Sequence, residues 1–241
     1  MGLNHVFDWC FLRNIFIKIF FVLFVFNWNP TFGYAEKISF DKAQSLYEEE
    51  QYEETFLALN NLLDTNNPEV FNLLGNLYYF GNFVDQDYRA AKNYYQMAVK
   101  FNFPPAFRNI GLMYENGFFF DSNVTEANKY YLLAHELGDD TATYYLAINY
   151  QYGIGVEKDI ILAIKYYNQA IELGNESAII DLAVLYNDDD FGYQNYKKAY
   201  ELLEPLADQG VADAQYNLGQ MYEYGHFYHH NIKFLLRKLQ E

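Results

Sequence analysis

The stretch ATYYLAINYQYGIGVEKDIILAIKYYNQAIELG, residues 142–174, decides the fold. Ala142, Leu146, Ala147 and Tyr150 fall three and four residues apart, one apolar stripe that predicts a helix from Ala142 to Tyr152. Gly153 and Gly155 then permit the left-handed backbone angles that end a helix and reverse the chain, and Asp159 can cap the next N-terminus. A second stripe, Ala163, Tyr166, Tyr167 and Ala170, predicts a helix over 160–173 that stops at Gly174-Asn175. Small residues at Ala147 and Ala163 let the two helices approach closely while the tyrosines fill the space around them. Two helices of this size cannot bury their own apolar face, so copies must stack.

Copies are present. Leu74-Gly75, Ile110-Gly111, Leu146-Ala147, Leu182-Ala183 and Leu218-Gly219 stand 36 residues apart, each followed by a tyrosine: Tyr78, Tyr114, Tyr150, Tyr186 and Tyr222. A turn glycine comes next at Gly81, Gly117, Gly153 and Gly225, with Asp189 the exception. Ala91, Ala127, Ala163 and Ala199 form another column. Tyr94-Tyr95, Tyr130-Tyr131 and Tyr166-Tyr167 form the last, with Leu202-Leu203 in the fourth copy. The 25 Tyr and 22 Phe of this 241-residue chain therefore have an architectural use as core between helices. The period divides the chain into copies at 70–105, 106–141, 142–177 and 178–213, and a clipped copy at 214–241.

Residues 1–35 lie apart from this pattern. Arg13 and Lys18 precede the apolar run from Ile19 to Phe26, followed by Pro30 and by small residues at Gly33 and Ala35. That order matches a secretory signal cut before Glu36, with an uncleaved N-terminal anchor as the alternative. The run is 8 residues long, below the ~18–20 that cross a bilayer as a helix. The only cysteine, Cys10, precedes it, so the remainder has no thiol, no disulfide and no cysteine-based zinc site. The net charge of −16, with 32 acidic and 16 basic residues, argues against nucleic-acid binding, which rests on clustered Lys and Arg.

Catalytic signatures are missing from the sequence. There is no dinucleotide fingerprint, phosphate loop or nucleophile elbow, which predicts no enzyme activity and no cofactor. His226, His229 and His230 read as a terminal turn, since a metal site wants ligands at defined spacing. Asp188-Asp189-Asp190 lacks the alternate spacing and glycine of a calcium loop and reads as a solvated turn. Asp139-Asp140 reads as an interrepeat loop, and Glu48-Glu49-Glu50 with Glu53-Glu54 as a solvated helix face.

The columns resemble the Sel-1-like repeat, a subclass of the tetratricopeptide superfamily. Residues 142–174 carry nearly all of its pattern: Gly153, Gly155, Val156, Asp159, Ala163, Tyr166, Tyr167, Ala170 and Gly174. The fourth copy departs at Asp188-Asp189-Asp190 and the second at Phe118-Phe119-Phe120. Residues 36–69 look like a looser tetratricopeptide unit, with Tyr47, Tyr52 and Phe56 at helical positions and Pro68 closing it. Past Gly225 the pattern is lost, and Ile232, Leu235, Leu236 and Leu239 are expected in a capping helix.

The resemblance implies an all-α, right-handed α-solenoid whose first helices line a concave face. Positions just off the packing stripe then point into a groove. These are Asn72, Asn76, Tyr79 and Phe80, then Arg108, Leu112 and Glu115, then Tyr144, Ile148, Gln151 and Tyr152. The series continues with Ile180, Val184 and Asn187, then Tyr216, Gln220, Glu223 and Tyr224. Tyrosines among Asn and Gln suit a peptide or protein loop, because Tyr supplies contact area and a hydrogen bond at modest entropy cost. The resemblance also implies a secreted or periplasmic adaptor without catalysis. Its alternatives are a substrate-recruiting subunit of a ubiquitin-ligase complex in the endoplasmic reticulum lumen and a β-lactamase-like hydrolase. The expected partner is a protein or peptide, with no nucleic acid, no metal and membrane contact only through an uncleaved N-terminus.

Overall fold

The structure is a computed structural model that describes residues 39–226. The signal or anchor reading of residues 1–35, Cys10, His229, His230 and the capping-helix reading of Ile232 to Leu239 lie outside the described residues. Eleven α-helices are present among the described residues, with no strand. They are α1 (Phe40–Glu48), α2 (Tyr52–Asn60), α3 (Pro68–Phe80), α4 (Tyr88–Val99), α5 (Pro104–Asn116) and α6 (Val124–Glu136). After these come α7 (Asp140–Tyr152), α8 (Ile160–Glu172), α9 (Glu176–Asn187), α10 (Tyr196–Asp208) and α11 (Ala212–Glu223). No described helix is long and apolar enough to cross a membrane. Pro68 does not close the N-terminal unit as expected. It opens α3 at the first helical position, where its missing N–H costs nothing.

Side-chain caps set the helix starts with the same period as the core. Asp87, Asn123, Asp159 and Asn195 each accept a backbone N–H in the first turn of α4, α6, α8 and α10. Their own N–H groups donate 2.7–3.0 Å hydrogen bonds to the carbonyls of Tyr78, Tyr114, Tyr150 and Tyr186, closing each turn between paired helices. The turns begin at Gly81, Gly117 and Gly153, all at φ between 72° and 74°. In the fourth copy α9 ends instead at an extended Asp188, and the left-handed angle moves to Gly192. The phenylalanine turn of the second copy keeps the ordinary path: Phe119 holds φ 69° where Gly155 holds 67°.

The two tyrosines of each pair do different work. Tyr94, Tyr130 and Tyr166 stack on Tyr78, Tyr114 and Tyr150 of the partner helix, with centroids 5.4–5.6 Å apart and planes within 20°. Tyr95, Tyr131 and Tyr167 are wholly buried. Gly75 and Gly111 lie so close to Tyr95 and Tyr131 that a β-carbon would come within 2.4 Å and 2.6 Å of a ring atom. Leu203 takes the buried place in the fourth copy. The core is thus a row of small clusters in which each ring column binds one helix pair to the next.

Candidate functional site

The first helices of successive copies, α3, α5, α7, α9 and α11, carry every residue expected in the groove except Tyr224, which caps α11. Tyr152 and Tyr216 are the most open of the series on α7 and α11, 58% and 65% exposed. Phe80, Val184, Glu223 and Tyr224 are also exposed. Tyr79, Leu112, Ile148 and Ile180 are half-buried and pack against core clusters, so much of their surface is already used. Gln151 departs from the expectation. It is 2% exposed, and its side-chain oxygen accepts the Tyr167 hydroxyl at 2.6 Å, because a buried phenol needs an acceptor.

The same need recurs across the face. Tyr131 donates to Glu115, and Tyr95 donates to Asn76 at 2.9 Å. Burial holds all three of these hydroxyls above the ordinary tyrosine range, and the Glu115 carboxylate adds to the rise at Tyr131. They keep their protons, and each donates to its acceptor. Tyr144 is likewise committed: its hydroxyl donates at 2.7 Å to Asp181, and burial with that carboxylate raises its pKa.

Adjacent copies are joined by polar contacts that the sequence expectation did not contain. Asn109 donates to Asn72 at 3.0 Å, and Tyr144 donates to Asp181, the same pair of positions two copies further on. Between them Arg108 sits near Tyr145, whose hydroxyl is raised by burial and partly brought back by the guanidinium. Arg108 also pairs with the buried Asp139 at 3.1 Å, while Asp139 caps α7. Asp139 and Asp140, expected as loop residues, are therefore joints: Asp140 accepts the Asn175 amide at 2.9 Å. A signal for Asn109, Tyr145 and Asp181 did exist, as polar residues at one position of three consecutive first helices.

A pocket of about 210 Å³ opens where α3 meets α5. It is lined by Asn72, Asn76, Tyr79, Phe80, Tyr95, Arg108, Asn109 and Leu112, six of which are expected groove residues. Amides and one guanidinium line it, along with three aromatic rings and a leucine. Among the described residues no cluster of His, Cys, Asp and Glu could hold a metal ion. Asp188 accepts the Asp190 N–H at 2.8 Å within its turn, and Asp189 accepts the hydroxyl of Tyr196, the first residue of α10, at 3.0 Å. His226, expected in a solvated turn, stacks on Tyr196 with centroids 4.3 Å apart and contacts Asn187 at 3.0 Å.

The Sel1 repeat family model matches residues 72–100, 105–139, 141–175, 177–211 and 212–230. A Sel1 repeat protein from Oxalobacter formigenes is similar at 30% identity with a TM-score of 0.67, over 78% of this chain and 76% of that one. A protective antigen of uropathogenic Escherichia coli with an SLR fold is 25% identical, TM-score 0.63, over 77% of this chain. The chain spans 40% of that antigen's length. A sel1 repeat protein from Klebsiella pneumoniae shares the fold, with a TM-score of 0.52 at 15% identity, over 80% of this chain and all of that one. No curated protein matches the chain. With five matched repeats laid over the helix pairs and tyrosine columns described above, the chain belongs to the Sel1 repeat family.

Proposed function

We propose that this protein is a secreted or periplasmic adaptor that binds a peptide or protein loop on the face formed by α3, α5, α7, α9 and α11. Sel1 repeat proteins are protein-interaction adaptors, and their fold is typically a non-catalytic scaffold. The observation that carries the reading is the pairing of wide-open Tyr152 and Tyr216 with a floor of interlocked polar side chains. A rigid floor lets exposed rings bury area on a partner with little ordering cost, which is how a few aromatic residues dominate an interface. The placement outside the cytoplasm rests on the basic-then-apolar order of residues 13–35, and N-terminal sequencing of protein from its native source tests it.

Proximity labelling with the full chain tests the binding face. Tyr152→Ala and Tyr216→Ala should each lose partners while the thermal midpoint stays within about 2 °C, because neither ring is buried. Unchanged labelling by both variants would remove this face from the function.

A further inference from the structure

Resting on the reading of this face as a peptide groove, we infer that the pocket between α3 and α5 is a subsite for an uncharged amide side chain, Gln or Asn, of the bound peptide. The hydrogen bonds orient the pocket. The Tyr95 hydroxyl donates to the Asn76 oxygen at 2.9 Å; Asn109 donates to that same oxygen at 3.2 Å and to the Asn72 oxygen at 3.0 Å. Both oxygens face the protein. The NH2 groups of Asn72 and Asn76 are left with no hydrogen-bond partner among the described residues, and the Asn109 oxygen is likewise unshared. A primary amide offers the complement to both, one acceptor and two donors.

Charge selects against the carboxylate of the same shape. Arg108, the one cation of the pocket lining, is already matched by buried Asp139, and Glu115, two turns further along α5, adds negative charge on the same helix. A second carboxylate would enter a site whose one positive charge is already used. Burial of an unmatched charge is costly where burial of a fully bonded amide is not. Tyr79, Phe80 and Leu112 supply walls for the methylenes of a Gln side chain, and about 210 Å³ accommodates one such group.

Fluorescence polarisation with labelled heptapeptide pools tests this, the central residue fixed as Gln, Glu or Leu and the flanks randomised. The Gln pool should bind the full chain about 10-fold more tightly than the Glu pool, and more tightly than the Leu pool. Asn72→Asp keeps an oxygen for Asn109 but removes an NH2 and adds charge, so the Gln advantage over Leu should fall to about 2-fold or less. Phe80→Ala, at an exposed ring, should weaken the Gln and Leu pools together and leave the Gln-to-Glu ratio in place. Equal binding of the Gln and Glu pools, or tighter Glu, overturns the subsite while leaving the groove standing. Failure of every pool to bind overturns both.

Discussion

A β-carbon at position 155 would lie 2.8 Å from the carbonyl carbon of Val124, so the turn of the third copy rests directly on the first residue of α6 in the second. Two hydrogen bonds hold it there. Asn128 donates its amide to the Ile154 carbonyl at 2.8 Å, and Thr125 donates its hydroxyl to the Gly155 carbonyl at 3.1 Å. Asn128 in turn accepts from buried Asn149 at 2.6 Å, which links the turn contact to α7.

Gly155→Ala should therefore destabilise by more than backbone strain alone. A left-handed angle costs a non-glycine residue about 1–2 kcal/mol, and here the methyl group also strikes backbone that cannot rotate away. Gly138 is the control, at φ 88° with nothing within 4 Å of the added carbon. Urea midpoints should fall further for Gly155→Ala than for Gly138→Ala; equal losses would mean that the turn can lift off α6.

The glycine-or-alanine position of the first helices makes an opposed pair of predictions. Gly75→Ala puts a carbon 2.4 Å from the Tyr95 ring, whose hydroxyl is tethered to Asn76, and should cost about 2 kcal/mol or more. Ala147→Gly empties a filled position and weakens a helix, a loss of about 1 kcal/mol. Thermal midpoints of the two variants decide it: if Gly75→Ala were the milder change, Tyr95 would have room the packing does not suggest.

The helix pairs were legible in the sequence because burial repeats every 36 residues and leaves Leu, Ala and Tyr in fixed columns. Hydrogen-bond partners were not, since they follow the geometry of individual side chains. Glu115 and Gln151 each stand 16 residues before the buried tyrosine they serve, Tyr131 and Tyr167. The residue 16 before Tyr95 is Tyr79, and the hydroxyl turns to Asn76 instead. The helical angle of Gln151 alone points to the groove, and the need of a buried phenol for an acceptor draws it inward. Tyr152, the next residue along, has no such duty and stays open. In the cap column Asp87, Asn123, Asp159 and Asn195, Asp159 stands out in the sequence because its copy alone has both turn glycines at the usual places.

The Tyr167–Gln151 bond is suited to a double-mutant cycle, as both side chains are buried. Tyr167→Phe alone leaves the Gln151 oxygen without a donor, a loss of about 1–3 kcal/mol. Adding Gln151→Leu removes the stranded oxygen, so the double variant should recover part of that loss. Denaturant titrations of the four proteins measure the coupling; strict additivity would mean that water replaces the bond.

Acid sensitivity should trace to His135. Its Nδ1 lies 2.8 Å from the Thr143 hydroxyl, which already donates to the Asp139 carbonyl, so the ring nitrogen is the donor. The ring also meets Tyr166 edge-on at 5.1 Å. Burial pulls the His135 pKa below its ordinary value; Glu136 opposes the shift and Lys165 adds to it. The unfolded chain therefore takes up a proton at a higher pH than the folded one. The stability from the neutral ring is complete above the unfolded pKa of about 6.5 and drains away as pH falls toward the lower folded value. His135→Gln keeps a donor for Thr143 and cannot titrate. Between about pH 7 and pH 5 its unfolding free energy should fall less than that of the parent chain. Parallel curves over that window would assign the acid response to other groups.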